Sequence, residues 1–385
     1  MKIKTMEVLV FALPLLGHYG WRSLQSPIGR YAILRVTTED GLVGLGEAPV
    51  LPDWGGDHGR YYGEDTTMLT HLVHKYFEPV LIGSDPRAIK ELLPRMDSIV
   101  RGFPYVKAMI ESALLDITGR AAGVPVYQLL GGAARQRIPI CHTVGLAPPA
   151  DAARVSAEVV ADGIRTLQIK VSGDFKTDVA VVKAIRHAVG DQIQIYPDVN
   201  RGYRTPKDAI AAIEAMHAEA GICMVEQPVE GTEAMAQVTA AVRVPVLADE
   251  SCWSPQDAIE AVRRKSADIL SIYYTKASGL LRSMQIGAIA GAAGMPVNVN
   301  GSLEMGVGNA ANLHLAAALE GNVLPAVIAV TTLHGREQTR VGGVFYTDDV
   351  ISEPFHYADG CLTVPTGPGL GVDLDPAKVA KYRIA

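Results

Sequence analysis

Cysteine is scarce in this chain, and its arrangement excludes a disulfide framework. The four cysteines among 385 residues are Cys141, Cys223, Cys252 and Cys361, and none has CxxC spacing. Cys141 and Cys223 lie in apolar segments that predict β-strands. Reduced thiols in or near a core are typical of a cytoplasmic protein, which is the location that this pattern predicts.

Basic clusters and long apolar runs are also missing. The 35 Lys and Arg residues are dispersed through a chain of formal net charge −6, so no nucleic-acid surface is predicted. No apolar segment reaches the length of a membrane-spanning helix. The N-terminal run VLVFALPLLG follows Glu7, contains Pro14 and precedes no small-residue cleavage site, so it predicts a β-strand rather than a signal peptide.

Residues 1–130 predict an α+β domain. Two strand-like stretches, with a DG hairpin signal at 40–41, precede a region of helical periodicity. Two loops, 15–26 and 51–65, are rich in Gly, His, Trp and Tyr. Because exposed aromatic side chains are costly, we expect these loops to fold over something.

Strands alternate with helices across residues 131–354. Amphipathic, Ala-rich helices separate nearly continuous apolar strands, as expected for a parallel sheet that is covered on both faces. Eight strand candidates, the first near 138 and the last near 327, predict an α/β barrel of the TIM type. Residues 355–385 have a hairpin-like pattern and are expected to return to the N-terminal domain.

Polar residues end four successive apolar runs in this region. Lys170, Asp198, Glu226 and Asp249 lie 28, 28 and 23 residues apart, which is about the length of one strand–helix unit. In a parallel barrel the carboxyl ends of the strands share one rim, and active sites lie there. Three carboxylates on rigid strand ends suit Mg²⁺ or Mn²⁺ better than Zn²⁺.

Each acid alone could instead be a helix cap or part of a salt bridge. Three acids at nearly constant spacing favour the metal interpretation, with Asn200 and Glu250 orienting the ligands. Lys170 would lie to one side of the metal, where its pKa should fall and make it a base, although it could simply pair with the acids. A base beside a metal predicts removal of the α-proton of a carboxylate through an enediolate.

The chain resembles the enolase superfamily, and especially its muconate-lactonizing-enzyme-like branch, over nearly its full length. The motifs that carry the resemblance are QIK at 168–170, PDVN at 197–200, VEQP at 225–228 and ADES at 248–251. It implies a modified (β/α)₇β barrel with an α+β capping domain that the C-terminal segment completes. It also implies Mg²⁺ held by the three acids, a small carboxylate substrate under the two loops, and a homo-oligomer.

Two family lysines are replaced. The Lys-x-Lys motif of the second strand has Gln168 at its first position. On the sixth strand, Lys276 and Gly279 match the family's markers, which places Tyr273 at the second-face lysine, or Tyr274 if the register slips by one. A tyrosine can also be a core residue of the strand.

Tyrosine is a poor base at neutral pH but a usable proton donor. We therefore expect one-face chemistry, in which Lys170 takes the proton and the product forms by β-elimination or cycloisomerisation. An alternative is an epimerase with Tyr273 or Lys276 on the second face. A further alternative is an inactive barrel that binds a carboxylate and a metal.

Several other residues are candidate substrate contacts. Asn298, Asn300 and Glu304 end the seventh strand, where no histidine occurs to form the His–Asp pair of the mandelate racemase branch. The loop candidates are His18, Tyr19, Trp21, Trp54 and His58. His334, Arg336 and Arg340 could meet a second substrate carboxylate or remain solvated.

Overall fold

The computed structural model describes residues 1–15, 19–22, 24, 28–329 and 346–385. It begins with an antiparallel sheet of strands in the order β1-β2-β3. These strands are β1 (Ile3–Ala12), β2 (Arg30–Thr38) and β3 (Val43–Pro49). The predicted hairpin turn is confirmed, because β2 pairs with β3 and Gly41 between them has a φ of 86° that favours glycine.

Helices follow this sheet, as the periodicity predicts. They are α1 (Thr66–Leu72), a π-helical segment (Val73–Phe77), α2 (Glu78–Leu81), α3 (Ile89–Ile99), α4 (Pro104–Ala122) and α5 (Val126–Leu129). Helix α4 packs closely on β3, since a Cβ at Gly46 would lie 1.8 Å from the carbonyl oxygen of Met109. Sheet and helices together form the capping domain.

A parallel sheet of eight strands, β5 to β12, makes up the second domain within the described residues. Its strands are β5 (Cys141–Val144), β6 (Thr166–Lys170), β7 (Gln194–Asp198), β8 (Val225–Glu226), β9 (Val246–Ala248), β10 (Ile269–Ile272), β11 (Val297–Asn300) and β12 (Val323–Val327). The helices between them are α6 (Pro149–Ala161), α7 (Phe175–Val189), α8 (Pro206–Ala220), α9 (Thr232–Ala241), α10 (Pro255–Arg264), α11 (Leu280–Ala292) and α12 (Gly306–Ala318). A parallel bridge between Ile140 and Ala326 joins the two edges, so the sheet nearly closes into a barrel.

The C-terminal segment contacts both domains. The strand predicted near residue 138 is divided, because β4 (Arg137–Pro139) leaves the barrel and pairs with the hairpin of β13 (Tyr357–Ala358) and β14 (Cys361–Thr363). After α13 (Pro376–Tyr382), the Ile384 N–H donates to the Val10 carbonyl of β1 at 2.8 Å. The predicted fold class, a modified (β/α)₇β barrel with a capping domain that the C-terminal segment completes, is confirmed.

Polar side chains fix where the barrel helices begin. Asp174, Thr205 and Ser254 each accept a hydrogen bond from a backbone N–H in the first turn of α7, α8 and α10, respectively. Each of these helices follows one of the strands β6, β7 and β9, so the caps define the short loops at the rim of the barrel.

The core lies between the strands and helices, and a separate cluster fills the inside of the barrel. That inner cluster includes Cys141, Tyr196 and Leu247. All four cysteines are free, as the sequence predicts. Cys141 is buried in β5 as predicted, whereas Cys223 precedes β8 and is half-buried. Among the described residues, no helix is long and apolar enough to cross a membrane.

Buried carboxylates of the capping domain hold the first turns of two barrel helices. Glu47 of β3 accepts from the N–H groups of Met305 and Gly308, at 2.6 and 2.8 Å, at the start of α12. Glu111 of α4 accepts from Leu280 and Leu281, at 2.5 and 3.0 Å, at the start of α11. The two domains are thus joined by helix capping across their interface.

Replacing Glu111 with alanine should lower the free energy of unfolding by about 1–3 kcal/mol, because two buried N–H groups would lose their acceptor. Burial raises the pKa of Glu111 from 4.5 to about 7, although the two N–H groups lower it. Between pH 4.5 and about pH 7, Glu111 keeps its proton in the folded chain but loses it in the unfolded chain. The contribution of Glu111 to stability therefore falls as the pH rises through this range. We therefore expect a larger loss at pH 5 than at pH 8, measured by urea denaturation. Equal losses would contradict the raised pKa.

Candidate active site

The strand register places the predicted anchor residues side by side at one rim. Lys170 lies opposite Asp198, and Asp198 lies opposite Glu226, on adjacent parallel strands. Asp249 directly follows β9, in which Leu247 lies opposite Glu226. Because neighbouring strands are about 4.8 Å apart, these four side chains share one small region.

Asp198 and Glu226 are held by polar neighbours. The Lys170 ammonium donates to Asp198 Oδ2, and the Asn200 N–H donates to Oδ1 at 3.0 Å. Gln168 Nε2 donates to Glu226 Oε2 at 2.7 Å, and Asn300 Nδ2 donates to Oε1 at 3.3 Å. Gln168, at the position where the resemblance leads us to expect a lysine, is therefore a neutral donor to a carboxylate.

Asp249 is held by Lys276 and Tyr273. The Lys276 ammonium donates to Asp249 Oδ1 at 2.5 Å, to its carbonyl oxygen at 2.8 Å and to the Ser271 carbonyl at 3.0 Å. The Tyr273 hydroxyl donates to Oδ2 at 3.3 Å. Lys276 is 2% exposed, and its ammonium lies 4.5 Å from the centre of the Tyr273 ring. Its position is that of a buried counter-ion for Asp249.

The three acids offer the oxygen donors that suit a hard divalent cation. All are at most 1% exposed, and burial and then the charges of Asp198 and Asp249 raise the pKa of Glu226 well above its ordinary value. A cation would relieve this repulsion. In the present arrangement all their carboxylate oxygens accept from protein donors. No three His, Cys, Asp or Glu side chains in the described residues are grouped closely enough to serve as metal ligands.

The pKa of Lys170 differs from the expectation. Burial lowers it, but the negative charges of Asp198 and Glu226 raise it more, and the result is a pKa above the ordinary value. The expected fall concerns a lysine beside a bound cation, whereas here Asp198 is paired with the ammonium itself.

A cavity opens beside these residues. Its wall includes Lys170, Gln168, Asn200, Asp249 and Tyr273 from the barrel. From the capping loops it includes Tyr19, Trp21, Leu51 and Trp54. The ring centre of Trp54 lies 5.5 Å from that of Tyr273, and the Tyr19 hydroxyl lies 3.0 Å from Thr143 Oγ1. Both predicted covering loops thus contribute to one cavity with the strand ends.

Tyr273, not Tyr274, faces the cavity. The Tyr274 hydroxyl donates to the Glu47 carbonyl at 2.7 Å, on the side of the capping domain. Burial, and then the charges of Asp249 and Glu226, raise the pKa of Tyr273 well above its ordinary value. Tyr273 therefore stays neutral at ordinary pH, where it can donate a hydrogen bond but is a weaker acid than a free tyrosine.

Other predicted contacts lie away from the cavity wall. The His58 side chain is 68% exposed, and its Nδ1 lies 3.9 Å from Glu230. Asn298 donates to Asn300 at 3.0 Å. Glu304 is buried behind the wall residues 301–303, and burial raises its pKa to about 7. His18, His334, Arg336 and Arg340 lie outside the described residues.

Glu250 and Asn200 form a pair beside the acids. Asn200 Nδ2 donates to Glu250 Oε1 at 3.2 Å, and Arg201 Nε lies 3.7 Å from the same oxygen. Burial, and then the charge of Asp249, raise the pKa of Glu250 to about 8. Sequence reasoning missed Arg201, which directly follows the PDVN motif, and Thr143, a polar residue near the end of the first barrel strand. The rule that found the other anchors could have found Thr143.

Comparisons with known proteins agree over nearly the whole chain. Residues 150–378 match the family model described as enolase C-terminal domain-like, and residues 23–131 match the mandelate racemase/muconate lactonizing enzyme N-terminal domain. Muconate cycloisomerase 1 of Rhodococcus opacus is 31% identical over 390 residues, covering 97% of this chain and 96% of that protein.

Solved structures give the same result. The 2-chloromuconate cycloisomerase from Rhodococcus opacus 1CP has a TM-score of 0.90 at 28% identity, covering 100% of both chains. The dipeptide epimerase from Enterococcus faecalis V583, complexed with Mg and the dipeptide L-Leu-L-Tyr, has a TM-score of 0.85 at 30% identity, covering 97% of this chain and 100% of that chain. The proteins that this chain is similar to therefore include both cycloisomerases and epimerases.

Proposed function

The chain belongs to the mandelate racemase/muconate lactonizing enzyme family of the enolase superfamily, and from this premise we propose that it removes the α-proton of a small carboxylate with Lys170 as the base. The dipeptide epimerase from Enterococcus faecalis V583, to which this chain is similar, is complexed with Mg. Asp198, Glu226 and Asp249 would hold Mg²⁺ or Mn²⁺, and the bound ion would stabilise the negative charge that develops on the substrate carboxylate.

Each protein residue then has a distinct task. Lys170 Nζ first gives its own proton to water and leaves Asp198, and it then accepts the proton from the carbon next to the carboxylate. Gln168 orients Glu226 through an uncharged hydrogen bond. Lys276 orients Asp249 through a buried ion pair. The aromatic wall of Tyr19, Trp21 and Trp54 excludes water from the enediolate.

The outcome that we favour is one-face chemistry: cycloisomerisation, or β-elimination. The observation that carries this choice is the asymmetry of the cavity, with a lysine at one strand end and a tyrosine of raised pKa at another. Lys170 removes the proton and can return it, whereas Tyr273 stays neutral and can only donate a hydrogen bond or, as a weak acid, a proton. An epimerase is the second candidate, favoured by the likeness to the dipeptide epimerase of Enterococcus faecalis.

Incubation of the protein in D₂O with Mg²⁺ tests the proposal. The panel would include muconolactone, L-Leu-L-Tyr and a set of small α-proton-bearing hydroxy acids, and ¹H NMR would follow each reaction. Product formation with retained configuration supports one-face chemistry, and inversion at the exchanged carbon supports an epimerase. Failure of every acid to exchange or react, in protein that binds Mg²⁺, would leave an inactive carboxylate-binding barrel.

Replacing Tyr273 with phenylalanine separates the two candidates. If the enzyme uses one face, the variant should keep its rate of α-proton exchange within about tenfold, because Lys170 is intact. If it is an epimerase, exchange should continue while inversion falls by about 100-fold or more, since the second-face proton donor is lost. Chiral chromatography beside the NMR assay measures both, and loss of all exchange would contradict this division of roles.

A further inference from the structure

A single turn of the second capping loop, residues 51–65, contacts the loops that follow all three acid-bearing strands. The Asp57 N–H donates to the Glu250 carbonyl at 3.3 Å, and the His58 N–H donates to Glu230 Oε1 at 2.8 Å. Arg201 Nη1 donates to the Gly56 carbonyl at 3.1 Å. We call residues 56–58 the docking turn.

Each of these three partners of the docking turn follows one of the three acids in the sequence. Arg201 lies shortly after Asp198, Glu230 shortly after Glu226, and Glu250 directly after Asp249. The turn therefore rests on the loops that follow all three metal-ligand candidates. The left-handed φ of 53° at His58 is uncommon for a residue with a side chain, which indicates that tertiary contacts impose this conformation.

Asp57 is the buried anchor of this turn. It is 2% exposed, and its Oδ2 accepts from the Ser251 hydroxyl at 2.6 Å. Ser251 in turn accepts from Gln227 Nε2 at 2.7 Å, and Gln227 Oε1 accepts from the Asp249 N–H at 2.9 Å. A continuous chain of hydrogen bonds thus connects the capping loop to the backbone of Asp249.

The same loop carries Trp54 into the cavity. The Gly63 N–H donates to the Trp54 carbonyl at 2.6 Å, and Gly55 pairs with Tyr62, so the two sides of the loop are tied together. The Trp54 ring lies 5.0 Å from the Trp253 ring and 5.5 Å from the Tyr273 ring, measured between centres. A shift of the docking turn would therefore be transmitted to the wall of the cavity.

We propose that Asp57 is a positioning residue that docks the 51–65 loop on the acid-bearing strand ends and so holds Trp54 at the wall of the substrate cavity. Asp57 does not touch the reacting atoms. It acts through Ser251 on one side and through Trp54 on the other, and it couples the geometry of the acids to the shape of the cavity. This inference rests on the proposed function only in taking the cavity as the substrate site.

Hydrogen–deuterium exchange of the full-length protein with Mg²⁺ tests the docking directly. Asp57→Ala and Ser251→Ala should each speed amide exchange in residues 51–65 by about fivefold, the effect of losing one hydrogen bond of typical strength. The double variant should exchange more slowly than the product of the two single effects predicts, because the contact between Asp57 and Ser251 is lost in each single variant. Asp57→Asn should restore slow exchange, since its amide oxygen can accept from Ser251. Tyr62→Phe, on the exposed side of the loop, is the matched control.

Steady-state kinetics provide a second measurement, because a general loss of stability would not change KM and kcat to different extents. With an acid that the wild type converts, Asp57→Ala should raise KM about tenfold or more and change kcat much less, because Trp54 and not Lys170 is displaced. Additive effects of the two alanine substitutions, or unchanged exchange in residues 51–65, would overturn the proposal. If no acid is converted, the proposed function fails, but the exchange experiment still decides whether Asp57 docks the loop.

Discussion

Replacing Lys170 with alanine should reduce the rate of α-proton exchange by about a thousandfold or more, in line with the contribution of a positioned general base. Lys170 ends β6, its side chain is 11% exposed, and it lies on the cavity wall within reach of Asp198. The other lysine near the acids, Lys276, is buried behind Asp249 and already donates three hydrogen bonds. It cannot substitute for Lys170 without breaking them.

The matched control is Lys170→Arg. Arginine keeps a positive charge beside Asp198, so the fold and the charge balance of the site should be preserved. It cannot be deprotonated in a protein, so exchange should stay as low as in the alanine variant. ¹H NMR in D₂O, on an acid that the wild type exchanges, measures both variants. Exchange within tenfold of wild type in either one would show that another group is the base.

The position of the site could be predicted from the sequence, because the spacing of the apolar runs shows where each strand ends. Residues about 28 positions apart, each after an apolar run, fall at the same level of a parallel barrel. The observed register, with Lys170, Asp198 and Glu226 opposite one another, is what that argument predicts. The first strand is the exception, since the C-terminal hairpin draws residues 137–139 out of the barrel. No local pattern signals a partner more than 200 residues away.

Side-chain direction and charge state could not be predicted in the same way. A one-residue difference separates Tyr273, which faces the cavity, from Tyr274, which donates to Glu47. The capping domain contacts both side chains: Tyr273 lies beside the ring of Trp54, and Tyr274 donates to Glu47. Likewise, the pKa of Lys170 depends on whether Asp198 turns toward the ammonium, which residue spacing does not encode. His58 was chosen for its residue type, but the docking turn uses its backbone N–H and leaves its ring exposed.

Replacing Glu226 with glutamine should weaken the binding of Mg²⁺ by about 100-fold or more, since even the loss of an outer-shell partner typically costs 10–100-fold. Glu226 lies between Asp198 and Asp249 in the order of strands, so a cation shared by the three must contact it. Isothermal titration calorimetry with Mg²⁺ measures the affinity directly.

The same variant should not lose stability in the absence of Mg²⁺. Burial, followed by repulsion from Asp198 and Asp249, raises the pKa of Glu226, so its charged form is unfavourable in the folded chain unless a cation offsets it. Glutamine keeps the shape and an oxygen that can accept from Gln168 while removing that charge. We therefore expect an unchanged or higher Tm without Mg²⁺, and a smaller rise in Tm when Mg²⁺ is added. Glu111→Gln, another buried glutamate but at a helix start, should leave the Mg²⁺ affinity unchanged. If Glu226→Gln instead binds Mg²⁺ as tightly as the wild type, the three acids do not share one cation, and the carboxylates at this rim serve only the lysines and amides that contact them.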